Sequence, residues 1–169
     1  VGDVLTAANL MPYVLFEDEI RRDGIPASMK LLVLNGCAAL TNVELKAAYV
    51  GEDFFARCES LQVASIDMAP NSSWRGNTLP YGLFSDCPAL REVTINAYDL
   101  PEDLFRDKTS LESVEIGDQV VEIGSAAFRG CTNLTGEIAL PASVVYVADG
   151  AFGGCVGLTS VKLPAGLMG

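Results

Sequence analysis

The chain has 169 residues, half of them hydrophobic and a fifth charged, a balance that excludes a disordered tail and suits one domain with a buried core. Its 22 acidic and 11 basic residues leave a formal charge of −11, which repels phosphate backbones and argues against nucleic-acid binding. No apolar run approaches the ~18 residues of a membrane span, and no basic segment leads into an apolar one as a secretory leader would.

In chain order, residues 1–24 stand apart. Leu10-Met11-Pro12-Tyr13-Val14-Leu15-Phe16, followed by the charged run from Glu17 to Arg22, predicts an amphipathic helix ending near Gly24. Glu17-Asp18-Glu19 reads as the solvated face of that helix. After the turn at Ile25-Pro26 a pattern begins: Leu34, Cys37, Leu40, Val43, Leu45. It returns as Phe55, Cys58, Leu61, Ala64, Ile66. A longer gap follows, holding the loop-like cluster Asn71-Ser72-Ser73-Trp74-Arg75-Gly76-Asn77. The third copy is Phe84, Cys87, Leu90, Val93, Ile95, and the fourth is Phe105, Lys108, Leu111, Val114, Ile116, with lysine in the cysteine slot. The fifth, Phe128, Cys131, Leu134, Ile138, Leu140, carries one extra residue after its leucine, and Gly136 at the insertion predicts a bulge. The last is Phe152, Cys155, Leu158, Val161, Leu163.

The unit is therefore Phe-x-x-Cys-x-x-Leu-x-x-Val-x-Ile/Leu, with most periods about 21 to 24 residues, inside the window of leucine-rich repeats. The Leu-x-x-Val-x-Ile part is a short strand with alternate side chains inward. Turns such as Leu140-Pro141 and Leu163-Pro164 follow, then a second extended piece such as Val120-Val121-Glu122-Ile123 or Val144-Val145-Tyr146-Val147. Ser125-Ala126-Ala127-Phe128-Arg129-Gly130-Cys131 predicts a brief helical turn, with Phe128 and Cys131 on one face. The expected fold class is an α/β leucine-rich repeat solenoid: short strands form one sheet, with short helical turns on the opposite side. No single coil buries its apolar face, so the stack is the folding unit and its open end needs a cap, the role expected of residues 1–24. Residues 25–169 form the repeats, about six copies. The start at Val1 and the ending Leu163-Pro164-Ala165-Gly166-Leu167-Met168-Gly169, which reads as another repeat cut short, lead us to expect a piece of a longer chain.

The segments Ile123-Gly124-Ser125-Ala126-Ala127-Phe128-Arg129-Gly130-Cys131 and Gly150-Ala151-Phe152-Gly153-Gly154-Cys155 resemble the BspA-like leucine-rich repeats, with their Ala-Phe-x-x-Cys-x-x-Leu-x-x-Val-x-Ile-Pro form. Leu79-Pro80-Tyr81-Gly82-Leu83-Phe84 and Leu100-Pro101-Glu102-Asp103-Leu104-Phe105 depart from it, with Leu-Pro in place of the Ile-Gly entry. The resemblance covers residues 25–169 and implies a right-handed superhelix in a secreted or cell-surface protein of a host-associated bacterium. It also implies a protein partner such as host extracellular matrix, and no reaction chemistry.

The residue types agree with a non-enzyme. The chain has no histidine, which removes Ser-His-Asp and Cys-His catalysis and all histidine metal sites. A two-carboxylate glycosidase would need an acid pair set in a cleft, and no spacing points to one. Cys37, Cys58, Cys87, Cys131 and Cys155 share one repeat slot, so they read as a buried structural ladder of free thiols. One ligand per coil does not build a tetrahedral zinc site, and no cofactor is implied. Asn71-Ser72-Ser73 and Asn133-Leu134-Thr135 have the glycosylation-triplet form and read as chance matches.

Binding is expected on the outward strand positions. One row is Asn42, Val63, Glu92, Ser113, Glu137, Ser160 and a second is Glu44, Ser65, Thr94, Glu115, Ala139, Lys162, with Lys46, Asp67, Asn96 and Gly117 as a third. From these, Asn42, Glu44, Ser65, Glu92, Thr94, Ser113, Glu115, Glu137 and Lys162 are the candidate contacts. Trp74 and Tyr81, with Tyr98 near in sequence, are candidate aromatic contacts, unless Trp74 packs its loop back onto the core. Three functions stay open: a protein-binding module at the cell surface, a structural spacer for another domain of a longer chain, and a carbohydrate binder or carbohydrate-active enzyme.

Overall fold

The computed structural model describes residues 4–5, 34–47, 50–68 and 78–168. The helix expected within residues 10–24, the Ile25-Pro26 turn and the Trp74 loop lie outside the described residues.

Each Leu-x-x-Val-x-Ile segment forms a strand. These are β2 (Asn42–Ala47), β3 (Val63–Met68), β4 (Glu92–Asn96), β6 (Ser113–Ile116), β8 (Gly136–Ala139) and β10 (Leu158–Lys162). Alternation explains the choice. Val43, Leu45, Ala64, Ile66, Val93 and Ile95 are buried while the residues between them face outward, the period of a half-buried strand. Pairing is parallel throughout. A short strand β1 (Val4–Leu5) pairs with β2 and completes a five-stranded sheet in the order β1-β2-β3-β4-β6.

The second extended pieces build a sheet of their own from β5 (Asp99–Leu100), β7 (Glu122–Ile123) and β9 (Tyr146–Val147). The core lies between the two sets of strands. It contains a file of phenylalanines in which Phe55, Phe84, Phe105, Phe128 and Phe152 stack ring on ring at 5.8, 5.6, 5.1 and 5.1 Å. The first four are fully buried.

The expected helical turns are not there: the described residues contain no helix, and the segments around each phenylalanine are hydrogen-bonded turns. The backbone gives the reason. Residues two before and two after each phenylalanine take the left-handed conformation: Asp53 and Arg57, Gly82 and Asp86, Asp103 and Asp107, Ala126 and Gly130, Gly150 and Gly154. A left-handed residue ends a right-handed helix, and one at every fourth position leaves no room for a second helical turn. The freed amides point along the stack instead. Phe55 N donates to Leu83 O and Arg57 N to Ser85 O, and the same pair recurs as Phe105 N to Ala127 O and Asp107 N to Arg129 O. The fold is thus an all-β leucine-rich repeat solenoid among the described residues.

The insertion after Leu134 reaches further than a local bulge. Gly136 takes a φ of 78°, and β8 pairs with β10 alone, forming a separate two-stranded sheet whose register skips Thr159. The long sheet therefore stops at β6.

Two substitutions check this backbone. Exposed Arg57, at φ 59°, is strained where glycine is not, so Arg57→Gly is expected to stabilise the chain by about 0.5–1 kcal/mol. A Cβ on Gly124 would meet Glu102 N at 2.7 Å and Leu100 O at 2.8 Å, backbone atoms that cannot swing away, so Gly124→Ala is expected to cost about 1–3 kcal/mol. Urea unfolding of both variants measures the two signs.

Candidate functional site

The strand face is built by register. Asn42 aligns with Val63, Val63 with Glu92 and Glu92 with Ser113, while Glu44, Ser65, Thr94 and Glu115 align one step along. Lys46, Asp67 and Asn96 make the third row. Neighbouring members of a row are thus one strand spacing apart, about 4.8 Å. Glu137 and Lys162 belong to the separate β8–β10 sheet, where Glu137 pairs with Ser160 and Ala139 with Lys162. The break between β6 and β8 divides the sequence-derived rows into a four-strand tract and a two-strand tract.

Charge is distributed unevenly along this face. At one end Lys162 Nζ lies 2.7 Å from Glu137 Oε1 and Ser160 Oγ donates to Glu137 Oε2 at 3.1 Å. Those two hydrogen bonds, Lys162 first, hold the Glu137 carboxyl below its ordinary range. In the third row Asn96 Nδ2 donates to Asp67 Oδ1 at 2.9 Å, Lys46 Nζ sits 3.6 Å from Asp67 Oδ2, and Asn96 Oδ1 accepts from Gln119 N at 3.0 Å. Beside the rows, Arg91 and Glu112 form a two-pronged ion pair. Glu44, Glu92 and Glu115 are exposed and form no ion pair among the described residues. The four-strand tract is therefore a hydroxyl- and amide-bearing surface with three uncommitted carboxylates.

Tyr81 is two-thirds exposed, but it lies away from the strand rows, over the second sheet. There it borders a cleft of about 200 Å³ with Asp99, Glu102, Glu122 and Tyr146. Sequence reasoning missed this grouping. Tyr146 gave a signal only as the outward residue of a second extended piece, a place two-residue strands mark weakly.

The cysteines lie between coils. All five are free thiols, and four are buried. Cys58 Sγ donates to Leu34 O at 3.1 Å, Cys87 to Phe55 O at 3.0 Å, Cys131 to Phe105 O at 3.1 Å and Cys155 to Phe128 O at 3.0 Å. Each of these four thiols thus caps a carbonyl of the preceding coil, and Lys108 interrupts the file. Burial pushes the Cys58 thiol up to about 11 and the Cys131 thiol to about 12, and raises Cys87 and Cys155 as well. Thiolates are the nucleophilic and metal-binding form, so these sulfurs are inert at neutral pH.

Stacked coils, a Leu-x-x-Val-x-Ile strand in every repeat and a core recurring with it define a leucine-rich repeat solenoid. The BspA type leucine rich repeat region matches residues 28–107 and 98–168, in six copies, and the chain belongs to that family. Among solved structures it is similar to a leucine-rich repeat protein from Bacteroides ovatus ATCC 8483, with 27% identity over 79% of this chain and 39% of that one at a TM-score of 0.62. A leucine-rich repeat protein of T. pallidum matches at 26% identity over 75% of this chain and 55% of its own, TM-score 0.58. A leucine-rich cell surface protein of Faecalibacterium prausnitzii A2-165 matches at 26% over 73% of this chain and 32% of its own, TM-score 0.59. The chain thus spans from about a third to just over half of the length of these relatives. No curated protein matches significantly. No helix among the described residues is long and apolar enough to cross a membrane.

The buried thiols make stability depend on alkaline pH. A thiol whose folded pKa lies above its ordinary 9.0 favours the fold while protonated, so the thiols' contribution to stability is level below pH 9 and is lost as pH rises toward 11 to 12. Unfolding free energies across that range, compared with a Cys58→Ser/Cys131→Ser variant, are expected to show a steeper decline in the parent.

Proposed function

We propose that this chain is a non-catalytic protein-binding module of a secreted or cell-surface bacterial protein, and that it engages its partner through the four-strand tract, with Glu92, Thr94, Ser113 and Glu115 on its last two strands as the main contacts. The observation that carries this reading is the parallel register, which sets outward side chains of four coils in two straight rows with three carboxylates free of ion pairs among the described residues. Rows of this kind suit an extended partner surface, because the spacing repeats from coil to coil and the backbone beneath is rigid. The family and the solved relatives, one of them named as a cell surface protein, support the location. Host extracellular matrix is the partner class we favour, and adhesion the role.

A structural spacer is the second reading. It is favoured by the absence of exposed aromatic side chains on β2, β3, β4 and β6, since aromatic anchors carry much of the energy of tight interfaces. A glycan partner is a third outcome.

Immobilised collagen, fibronectin, laminin and a panel of neutral glycans separate these readings. The module reading expects saturable binding to a matrix protein that weakens by about tenfold or more in Glu92→Lys/Glu115→Lys. Binding unaffected by the double reversal would move the contact off the strand face, and silence against every probe would leave the spacer.

A further inference from the structure

The second sheet carries the more specific chemistry. Its outward row is Asp99, Glu122 and Tyr146, aligned strand to strand across β5, β7 and β9. Beside this row, three residues before their phenylalanines, Tyr81 and Glu102 hold one repeat position in successive coils. These five side chains surround the cleft of about 200 Å³, with Leu100, Pro101, Ile123 and Gly124 completing its walls and no lysine or arginine among its lining residues. Tyr81 and Tyr146 are 66% and 49% exposed, large rings left open to solvent on opposite sides of the carboxylates. Gly124 allows adjacent coils to approach closely at the edge of the cleft, since any Cβ there would strike the backbone of Leu100 and Glu102.

Three observations indicate what fits. None of Asp99, Glu102 and Glu122 forms an ion pair with a described residue, so the cleft holds three carboxylates with no internal counter-charge. Glu102 and Glu122 are exposed, so their carboxylate oxygens are open to an incoming donor. The open faces of two tyrosine rings attract cations through their quadrupoles. A bare metal ion suits the site poorly, because no group of three or more acidic or thiol residues among the described ones converges closely enough to hold one. A flexible cationic side chain, with its charge among the carboxylates and its methylenes along a ring, satisfies all three.

We infer that the Tyr81–Tyr146 cleft is a second docking site, distinct from the strand rows, which receives a lysine- or arginine-bearing segment of a protein partner. Charge complementarity selects that occupant: the whole chain carries −11, and this patch presents acceptors and aromatic faces to the partner's donors. Burial raises the Asp99 carboxyl above its ordinary value, and an incoming ammonium or guanidinium acts against that shift by favouring the charged form. The site does not depend on the strand-face reading, since the two surfaces share no residue.

The test uses the full chain and acetylated pentalysine amide as probe, followed by isothermal titration. Three variants are compared: Glu102→Gln/Glu122→Gln in the cleft, Glu92→Gln/Glu115→Gln on the strand face with the same loss of charge, and Tyr81→Leu/Tyr146→Leu, which keeps apolar bulk and removes the ring faces. Circular dichroism confirms that each remains folded. The cleft glutamines and the tyrosine replacements are each expected to weaken binding about tenfold, and the strand-face glutamines by less than about twofold. Equal weakening by both glutamine pairs would reduce the effect to overall charge and overturn the assignment. So would tyrosine replacements without effect, no binding of pentalysine at all, or binding of neutral oligosaccharides such as chitohexaose in its place.

Discussion

Everything in this molecule depends on contact between one coil and the next. No coil has a core of its own. From the second repeat onward, the phenylalanine of each repeat lies flat on that of its neighbour, with interplanar angles between 2° and 22°. A parallel-displaced stack of this kind removes both ring faces from water, and Phe55, Phe84, Phe105 and Phe128 have no exposed surface left. The same interval sets everything else. A strand spacing of about 4.8 Å and a ring stack slightly wider than that can coexist only if the stretch from ring to strand is nearly the same in every coil. This is why the repeat is so regular between its anchor residues.

Backbone chemistry enforces the same direction. Within the turn, amides alternate between bonding inside the coil and bonding to the next one: Cys58 N donates to Phe55 O, whereas Phe55 N donates to Leu83 O. Thiols extend the scheme, each of the four buried cysteines donating to the carbonyl of the residue in the phenylalanine slot one coil back. The polar groups of the turn are thereby satisfied inside an apolar stack. Their cost when unpaired would be ~1–3 kcal/mol each, enough to open a coil. Left-handed residues flanking each phenylalanine are what aim those amides along the stack, and they are also what forbids a helix there.

The strands and their rows were legible in the sequence because Leu-x-x-Val-x-Ile fixes both the inward set and the phase, and a one-residue slip would invert every side chain. The turns were misread for a definite reason. Phe128 and Cys131 are three apart, a spacing shared by a helical face and by a tight turn, and only the left-handed positions tell them apart. Those positions hold Asp, Arg and Ala in several copies, so glycine did not mark them. The reach of the insertion at Gly136 was also hidden, since a single extra residue reads as a local bulge while its effect falls on pairing between β6 and β8. Of the two surfaces, the strand rows could be written down from the repeat alone. The tyrosine–carboxylate cleft could not, because Tyr81 and Tyr146 come from coils far apart in sequence and border one cleft only when the second sheet is stacked.

The functional consequence is a rigid frame that repeats positions at a fixed interval and leaves their chemistry free to vary. One face offers hydroxyls, amides and carboxylates in rows, and the other offers aromatic rings around acidic groups. The most direct test of the central dependence on coil-to-coil contact is amide hydrogen exchange in Phe105→Ala, a change in the middle of the ring stack that should cost about 3–5 kcal/mol. Stack-wide cooperativity predicts that the inter-coil amides of Phe55 and Phe128 lose protection together with those next to residue 105. Loss of protection confined to the substituted coil would show that each repeat holds itself together, and would contradict the account.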